Sequence, residues 1–122
     1  LIPYQAYSDT FRRYVFLLAA IESNNKQTLL FDEPESNMFP YYIKNFAEAL
    51  SIDTDNQYLI TTHSPYLINS VISKTNIKDL AVNLIYNEDY QTKSILLNEN
   101  QLDKLVDWDI DIPYNIDSLL EV

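Results

Sequence analysis

The length, composition and charge of the chain exclude several classes of protein. Its 122 residues, of which 47% are hydrophobic, suffice for one compact unit with a buried core, so we predict a single domain over residues 1–122. The absence of cysteine excludes a disulfide framework and a thiolate metal site, and a net charge of −10 disfavours direct nucleic-acid binding. No apolar stretch approaches the roughly 20 residues of a membrane span, so we expect a cytoplasmic protein without membrane contact.

The chain contains no glycine, although average usage is about 7%. Tight turns that need a positive φ must therefore use asparagine or aspartate, which tolerate that conformation best after glycine. Such residues cluster between the apolar segments, and we predict turns at residues 24–25, 53–56, 87–89 and 98–100.

In chain order, the first part of the sequence predicts alternating helices and strands. The predicted elements are a helix over Asp9–Ser23 with Ser8 or Asp9 as its N-cap, a strand over Thr28–Asp32, a helix over Pro40–Leu50, a strand over Gln57–Thr62 and a helix from Pro65 to about Val71. Both strands are continuous apolar runs, which favours strands covered on both faces. Short connections between these elements predict parallel strands joined by helical crossovers.

The second part predicts a different arrangement. Two alternating runs, Leu80–Tyr86 and Thr92–Leu97, predict a β-hairpin, and Gln101–Val106 and Ile116–Leu120 are two further short helix candidates. From residue 99 onwards the chain carries seven acids and one lysine, which favours a solvated acidic tail. The predicted fold class is α/β, with parallel strands and flanking helices followed by a C-terminal β-hairpin.

Charged residues follow both predicted parallel strands. Asp32 and Glu33 end the first strand and His63 follows the second, so all three emerge at one sheet edge if the strands are neighbours. Asp32 is suited to hold Mg²⁺, Glu33 to orient or deprotonate an attacking water, and His63 to contact that water or a terminal phosphate. Singly, the acid pair is typical of a turn or N-cap and the histidine of a hydrogen-bonding residue. Together they favour nucleotide hydrolysis.

These segments resemble a known family. Leu29–Glu35 (LLFDEPE) resembles the Walker B motif of ATPases of the ATP-binding-cassette type, and Ile60–Pro65 (ITTHSP) resembles their switch-histidine motif. With Glu35 and Ser36–Pro40 the segment is most similar to prokaryotic AAA-family ATPases related to the overcoming-lysogenization-defect nucleases and to chromosome-maintenance ATPases. The resemblance covers Tyr7–Val71 and implies a partial P-loop NTPase fold that uses ATP and Mg²⁺.

The resemblance also implies a role for each matching residue. Asp32 is the magnesium residue, Glu33 the catalytic glutamate and His63 the switch histidine. Ser36 and Asn37 fall in the D-loop, which in this family lies at the interface of an ATP-bound homodimer.

Ser8 stands where the family's signature motif opens a helix and receives the γ-phosphate of ATP bound by the opposite protomer, a position suited to an anion. The sequence departs from that motif, because Asp9 and Thr10 replace its glycines. Ser8 is equally compatible with a simple N-cap. Arg12 and Arg13 are compatible with a solvated face, a contact to an acidic neighbour, or a phosphate contact.

The family's Walker A loop requires glycines and a Gly-Lys-Ser/Thr sequence, and neither occurs here. The chain also begins at Leu1 without methionine. We therefore expect the C-terminal lobe of a longer ATPase, inactive alone, with the N-terminal Walker A lobe of the same protein as its partner. Relatives power nuclease or toxin effectors in antiphage defence, or clamp DNA, so an effector of that kind is a further expected partner.

Two alternatives remain open at this stage. A metal-dependent hydrolase or nuclease could be built from clustered acids, namely Asp32, Glu33, Glu35, Asp107, Asp109 and Asp111. A non-catalytic interaction module could instead use the motifs as a scaffold, with the aromatic series Phe39, Tyr41 and Tyr42 as a partner surface or as part of the core.

Overall fold

The structure is a computed structural model that describes residues 3–108. The predicted helix over Ile116–Leu120 and the acids Asp109 and Asp111 lie outside the described residues.

Helices and strands alternate through the described range and then give way to a hairpin and a last helix. They are α1 (Asp9–Glu22), β1 (Thr28–Asp32), α2 (Pro40–Ile52), β2 (Gln57–Thr61), α3 (Pro65–Lys74), β3 (Asn83–Glu88), β4 (Gln91–Leu96) and α4 (Glu99–Trp108), with short 3₁₀ turns at Tyr4–Ala6 and Ile77–Asp79. Each α-helix and β-strand agrees with a predicted one to within a few residues, whereas the two 3₁₀ turns were not predicted. Between residues 3 and 108, no helix combines the length and apolar character that a membrane crossing requires.

Two serines and two prolines fix where the helices begin. The Oγ of Ser8 accepts a hydrogen bond from the backbone N–H of Phe11, and the Oγ of Ser64 accepts one from that of Leu67. Pro40 and Pro65 open α2 and α3, where a missing N–H has no cost.

β1 and β2 form a parallel pair in register from Thr28 opposite Gln57 to Asp32 opposite Thr61. Alternate residues of both strands, including Phe31 and Ile60, face the main core. That core is supplied by the buried faces of α1, α2 and α3, through Leu17, Ile21, Ile43, Phe46, Ala47, Leu50 and Leu67 together with Met38. The predicted α/β arrangement is confirmed, and the register brings the carboxyl ends of β1 and β2 side by side.

The opposite face of this sheet is uncovered by the described residues. Leu30 is 75% exposed and Leu59 is 52% exposed, although both are large apolar side chains. The prediction of strands covered on both faces is therefore wrong within residues 3–108. A continuous apolar strand sequence is typical of a strand with both faces covered. It does not show that the same stretch of chain supplies both covers.

β3 and β4 form the predicted antiparallel hairpin, with Asn83 opposite Leu96 and Glu88 opposite Gln91. Only Asp89 and Tyr90 lie between the strands, with φ angles of 51° and 61°. Two positive φ angles in a two-residue connection are typical of a type I′ turn, which matches the twist of a hairpin.

α4 shows that the predicted solvated tail is wrong for residues 99–108. Leu102 and Leu105 are each only 3% exposed and form a second core with Leu97, against which Ile68 and Ile72 of α3 pack. A reciprocal capping box begins the helix: the N–H of Asn98 donates to Gln101 Oε1 at 2.9 Å, and the N–H of Gln101 donates to Asn98 Oδ1 at 3.0 Å. The acids occupy the outer face of an amphipathic helix.

The glycine-free turns use a wider set of residues than the sequence predicted. Positive φ angles occur at Lys26, Glu33, Asn37, Asp89 and Tyr90. Of the four predicted turn segments, only residues 87–89 contain one of these positions, because the asparagines and aspartates elsewhere act through side-chain hydrogen bonds instead.

Candidate functional site

The candidate site is built on the paired ends of β1 and β2. Asp32 and Thr61 are opposite each other in the register, and the hydroxyl of Thr61 donates to Asp32 Oδ1. The pairing continues one residue further, since the backbone N–H of Glu33 donates to the carbonyl of Thr61 at 3.0 Å. Within residues 3–108, the second carboxylate oxygen of Asp32 has no hydrogen-bond partner, and the residue is exposed.

The same strand ends bring Glu33 and His63 into contact. His63 Nδ1 lies 3.1 Å from Glu33 Oε1, and both side chains face solvent, at 75% and 50% exposure respectively. The hydroxyl of Ser36 donates to the other carboxylate oxygen of Glu33 at 3.3 Å. The carboxylate is thus oriented by two neighbours while staying open to a water or a ligand.

Glu33 also has an unusual backbone conformation, with a φ angle of 42°. A non-glycine residue is uncommon in this region, and such strain is often found at functional sites. Arg13 of α1 holds the turn, because its Nη2 donates to the carbonyl of Glu33 at 2.9 Å and its Nε to that of Pro34 at 3.0 Å. Of the three roles open for Arg13, the structure therefore gives it a contact to the acidic loop, through backbone carbonyls that no sequence pattern marks.

A third acid, Glu35, differs from Asp32 and Glu33 because it is buried, at 6% exposure. Its Oε1 accepts hydrogen bonds from the hydroxyl of Thr62 and, at 3.3 Å, from the backbone N–H of His63. Three consecutive residues at the end of β2, Thr61, Thr62 and His63, therefore pair with the three acids at the end of β1. This pairing was not predicted from the sequence, although two adjacent threonines precede His63.

The predicted D-loop residues lie on the same loop. The carbonyl of Asn37, whose φ is 61°, accepts a hydrogen bond from the hydroxyl of Thr10 at 2.7 Å. Asn37 is exposed and Ser36 is half-buried. α1 thus holds the loop at both ends, through Arg13 near Glu33 and through Thr10 near Asn37.

Ser8, the remaining predicted site residue, lies at the start of α1. Its Oγ caps the helix, so the N-cap role that the sequence left open is observed, and Ser8 is exposed with no hydroxyl donation to another residue within residues 3–108. Arg12 pairs with Asp9 one turn earlier. The structure does not bring Ser8 into contact with Asp32, Glu33 or His63.

The residues of the two alternatives are spread apart. Within residues 3–108, no group of three or more His, Cys, Asp or Glu side chains is arranged to hold a metal ion. Asp107 lies on α4, a different element from the one that carries Asp32 and Glu33. Among the aromatics, Phe39 and Tyr41 are exposed, whereas the ring of Tyr42 lies 4.8 Å from that of Tyr14 and packs on the main core.

A second polar cluster lies at the opposite end of the sheet, where β2 begins. Asp53 accepts hydrogen bonds from the hydroxyl of Tyr58, from the N–H groups of Asp55 and Asn56, and from the side-chain amide of Asn56. The Tyr58 bond is the main cause that lowers the pKa of Asp53 from 3.8 to about 2. Burial, with the bond to Asp53, raises the pKa of Tyr58. This cluster closes the α2–β2 loop.

A family model and a solved structure match this chain. Residues 1–69 match the model of a family of AAA domains whose description names the AbiEii toxin and the Type IV TA system. No curated protein matches the chain.

Among solved structures, the chain resembles one associated with ATP-driven dimerization and DNA stimulated activation of SMC ATPases, with a TM-score of 0.64 and 14% sequence identity. The match covers 85% of this chain and 62% of that one. The likeness confirms the predicted α/β fold of the P-loop ATPase type.

Proposed function

We propose that this chain, which belongs to the family of AAA domains whose model matches residues 1–69, is the hydrolytic lobe of an ATP-hydrolysing ATPase. The observation that carries the proposal is the 3.1 Å contact between Glu33 and His63 at the neighbouring ends of two parallel strands. Asp32 lies beside them on β1. A magnesium carboxylate, a base and a polar contact for phosphate are the groups that phosphoryl transfer to water requires.

The chemistry of Asp32 fits magnesium. Mg²⁺ prefers one or two carboxylates and completes its shell with water and substrate phosphates, and Asp32 has an exposed carboxylate with one oxygen unpaired in the described residues. When bound, the ion would neutralise charge that develops on the transferred phosphoryl group. The Thr61 hydroxyl fixes the other oxygen and so orients the carboxylate.

Glu33 and His63 have separate roles in the proposed hydrolysis. Glu33 accepts a proton from, or orients, the attacking water, because its carboxylate is exposed and is held by Ser36 and His63. With Nδ1 of His63 facing Glu33, Nε2 is the ring nitrogen that remains for the terminal phosphate. This division assigns the proton to Glu33 and the phosphate contact to His63.

The uncovered face of the β1–β2 sheet supports a Walker A lobe as partner. Leu30 and Leu59 expose large apolar side chains there, and Phe16 of α1 is likewise exposed. Burial of such surface is favourable at roughly 25 cal/mol per Å², so a covering lobe would be held by the hydrophobic effect. We assign that lobe to the N-terminal part of the same protein, which would supply the phosphate-binding loop.

The exposed Asn37 beside the half-buried Ser36, together with the exposed hydroxyl group of Ser8, supports an ATP-state homodimer. In that dimer, Ser8 of one protomer would meet the γ-phosphate held by the other. A nuclease or toxin effector in the cytoplasm completes the proposal, and hydrolysis would control when that effector acts.

The test is the Glu33→Gln variant of the protein that carries this chain together with its Walker A lobe. Loss of the base is expected to lower kcat about 100-fold or more, while ATP binding and ATP-dependent dimerisation remain. Turnover is measured by phosphate release, and dimerisation by size-exclusion chromatography with ATP. Glu48→Gln is the matched control, because Glu48 is an exposed glutamate on α2 that pairs with Lys74. Wild-type turnover in Glu33→Gln would refute the assignment.

A further inference from the structure

Glu35 connects the two loops that carry the candidate site. Its carboxylate is buried beneath them and binds the hydroxyl of Thr62 and the backbone N–H of His63 through a single oxygen, Oε1. The hydroxyl of Thr62 also accepts a hydrogen bond from the N–H of Ser64 at 3.0 Å, and Ser64 caps α3. One carboxylate therefore fixes the β2–α3 loop to the loop that follows β1.

The imidazole of His63 depends on this anchor for its position. It is 75% exposed, and within residues 3–108 its recorded polar contact is the one to Glu33. The staggered rotamers of a side chain start from its Cα–Cβ bond, so the imidazole reaches Glu33 only when the backbone of His63 is held in the right place. The bond from its own N–H to Glu35 supplies that constraint at the residue itself.

Burial of Glu35 is otherwise unfavourable for the fold. Its second oxygen, Oε2, is fully buried and has no hydrogen-bond partner in the described part of the chain. A buried acceptor without a partner destabilises a protein, and an apolar side chain of similar size avoids that cost. Stability alone does not account for a carboxylate here, whereas the position of the two loops does.

We propose that Glu35 is a positioning residue that sets His63 against Glu33 through its bonds to Thr62 and to the N–H of His63. The inference rests on the proposed function and adds a residue that touches neither nucleotide nor water. It acts through hydrogen-bond acceptance, so the neutral isostere glutamine retains the role. The carbonyl oxygen of the glutamine takes the place of Oε1. Its NH₂ group takes the place of Oε2, which lacks a partner in the described residues.

The experiment measures kcat and KM for ATP in the protein that contains both lobes. Glu35→Ala is expected to lower kcat about tenfold or more with KM within about twofold, since a small displacement of a catalytic group is costly. Glu35→Gln is expected to restore kcat to within about threefold of wild type. Glu48→Ala, the same change at an exposed glutamate, should leave both constants unchanged.

Several results would overturn the proposal. It fails if Glu35→Ala keeps wild-type kcat, or if Glu35→Gln is as slow as Glu35→Ala, because charge rather than acceptance would then matter. If Glu35→Ala does not fold, Thr62→Val decides, since it removes one of the two bonds to Glu35, together with the acceptor for the N–H of Ser64, and retains the shape of the side chain. Its expected loss is about threefold in kcat, and unchanged kcat refutes the proposal.

Glu33→Gln in the same assay separates this inference from the proposed function. A fully active Glu33→Gln removes the hydrolytic assignment and the positioning role with it. An inactive Glu33→Gln beside a fully active Glu35→Ala removes only the role of Glu35.

Discussion

The two ends of the β1–β2 sheet both carry acidic side chains, but the carboxylates differ in how many hydrogen bonds they accept. At the end where β2 begins, Asp53 receives four hydrogen bonds from Asp55, Asn56 and Tyr58, and Asn56 continues the network to Asn24 and Gln27. Within residues 3–108, every hydrogen-bond partner of the Asp53 carboxylate is a donor from its own loop or from the adjacent strand.

At the end where β1 and β2 finish, the acids keep part of their capacity free. Asp32 engages one hydroxyl, and Glu33 engages one hydroxyl and one imidazole, and both remain exposed. Glu35 differs from both groups, because it is buried and, within the described residues, only its Oε1 is paired.

The difference separates structural acids from candidate functional acids within one chain. A carboxylate surrounded by donors from its own loop stabilises that loop in its ionised form, which lowers the pKa, as observed for Asp53. A carboxylate that must meet a metal ion or water has to keep accessible oxygen atoms. Proximity to a strand end is common to both groups, so hydrogen-bond saturation is the feature that distinguishes them.

A pair of matched substitutions tests this distinction most severely. Asp32→Asn in the protein with both lobes is expected to lower turnover about 100-fold or more, because an amide is a poor magnesium ligand, with little change in the melting temperature. Asp53→Asn is expected to leave the kcat of the folded protein unchanged. Phosphate release and thermal unfolding, measured on both variants, provide the two readouts. A large loss of kcat in Asp53→Asn would remove the distinction between the two ends.

The second largest expected effect is a loss of stability in the Asp53→Asn variant. All recorded partners of Asp53 donate, so the amide nitrogen of asparagine would face donors and find no acceptor. We expect a loss of about 2 kcal/mol in the free energy of unfolding, measured by urea denaturation at neutral pH. Asp55→Asn is the control, since Asp55 is exposed and its side chain, within residues 3–108, accepts one hydrogen bond, from Asn25.

The pH dependence of stability follows from the same residue. The pKa of Asp53 is lowered from 3.8 to about 2, so its ionised form is favoured in the folded state. Its contribution is fully present above the ordinary value and is lost as pH falls from about 4 through 2. Urea denaturation at successive pH values should show this loss, and Tyr58→Phe should reduce it because Tyr58 is the main cause of the shift. An identical slope in both proteins would show that other acids dominate this range.

Much of the fold could be predicted because its local patterns agree with one another. The N-cap at Ser8, the prolines at 40 and 65 and the apolar runs between them predict helices and strands in the order observed. Short crossovers predict parallel pairing, which is how Glu33 and His63 come together. The roles of these residues in hydrolysis stay predictions.

The contacts that were missed depend on register and on depth, which a single sequence does not encode locally. Whether Thr61 or Thr62 faces Asp32 is decided by the strand pairing, and a shift of one residue would exchange them. The bonds of Arg13 end on backbone carbonyls, which every residue possesses. Burial of α4 requires the hairpin and α3 to be in place, so its acids alone indicated a solvated tail.

The smallest expected effect comes from backbone strain, which occurs at both ends of the sheet. Lys26, just before β1, has a φ of 54°, and Glu33, just after it, has a φ of 42°. The side chain of Lys26 is exposed and has no hydrogen bond or ion pair within residues 3–108, so nothing in that range requires its identity.

Lys26→Gly is therefore expected to raise the free energy of unfolding by about 0.5–1 kcal/mol, because relief of the left-handed conformation exceeds the added entropy of the unfolded chain. Turnover should not change, since strain at this end has no part in the site. Urea denaturation and phosphate release on the same preparation measure both quantities. A less stable Lys26→Gly would mean that the left-handed conformation carries no strain here, and would remove the contrast with Glu33, whose turn is held by Arg13 at the site itself.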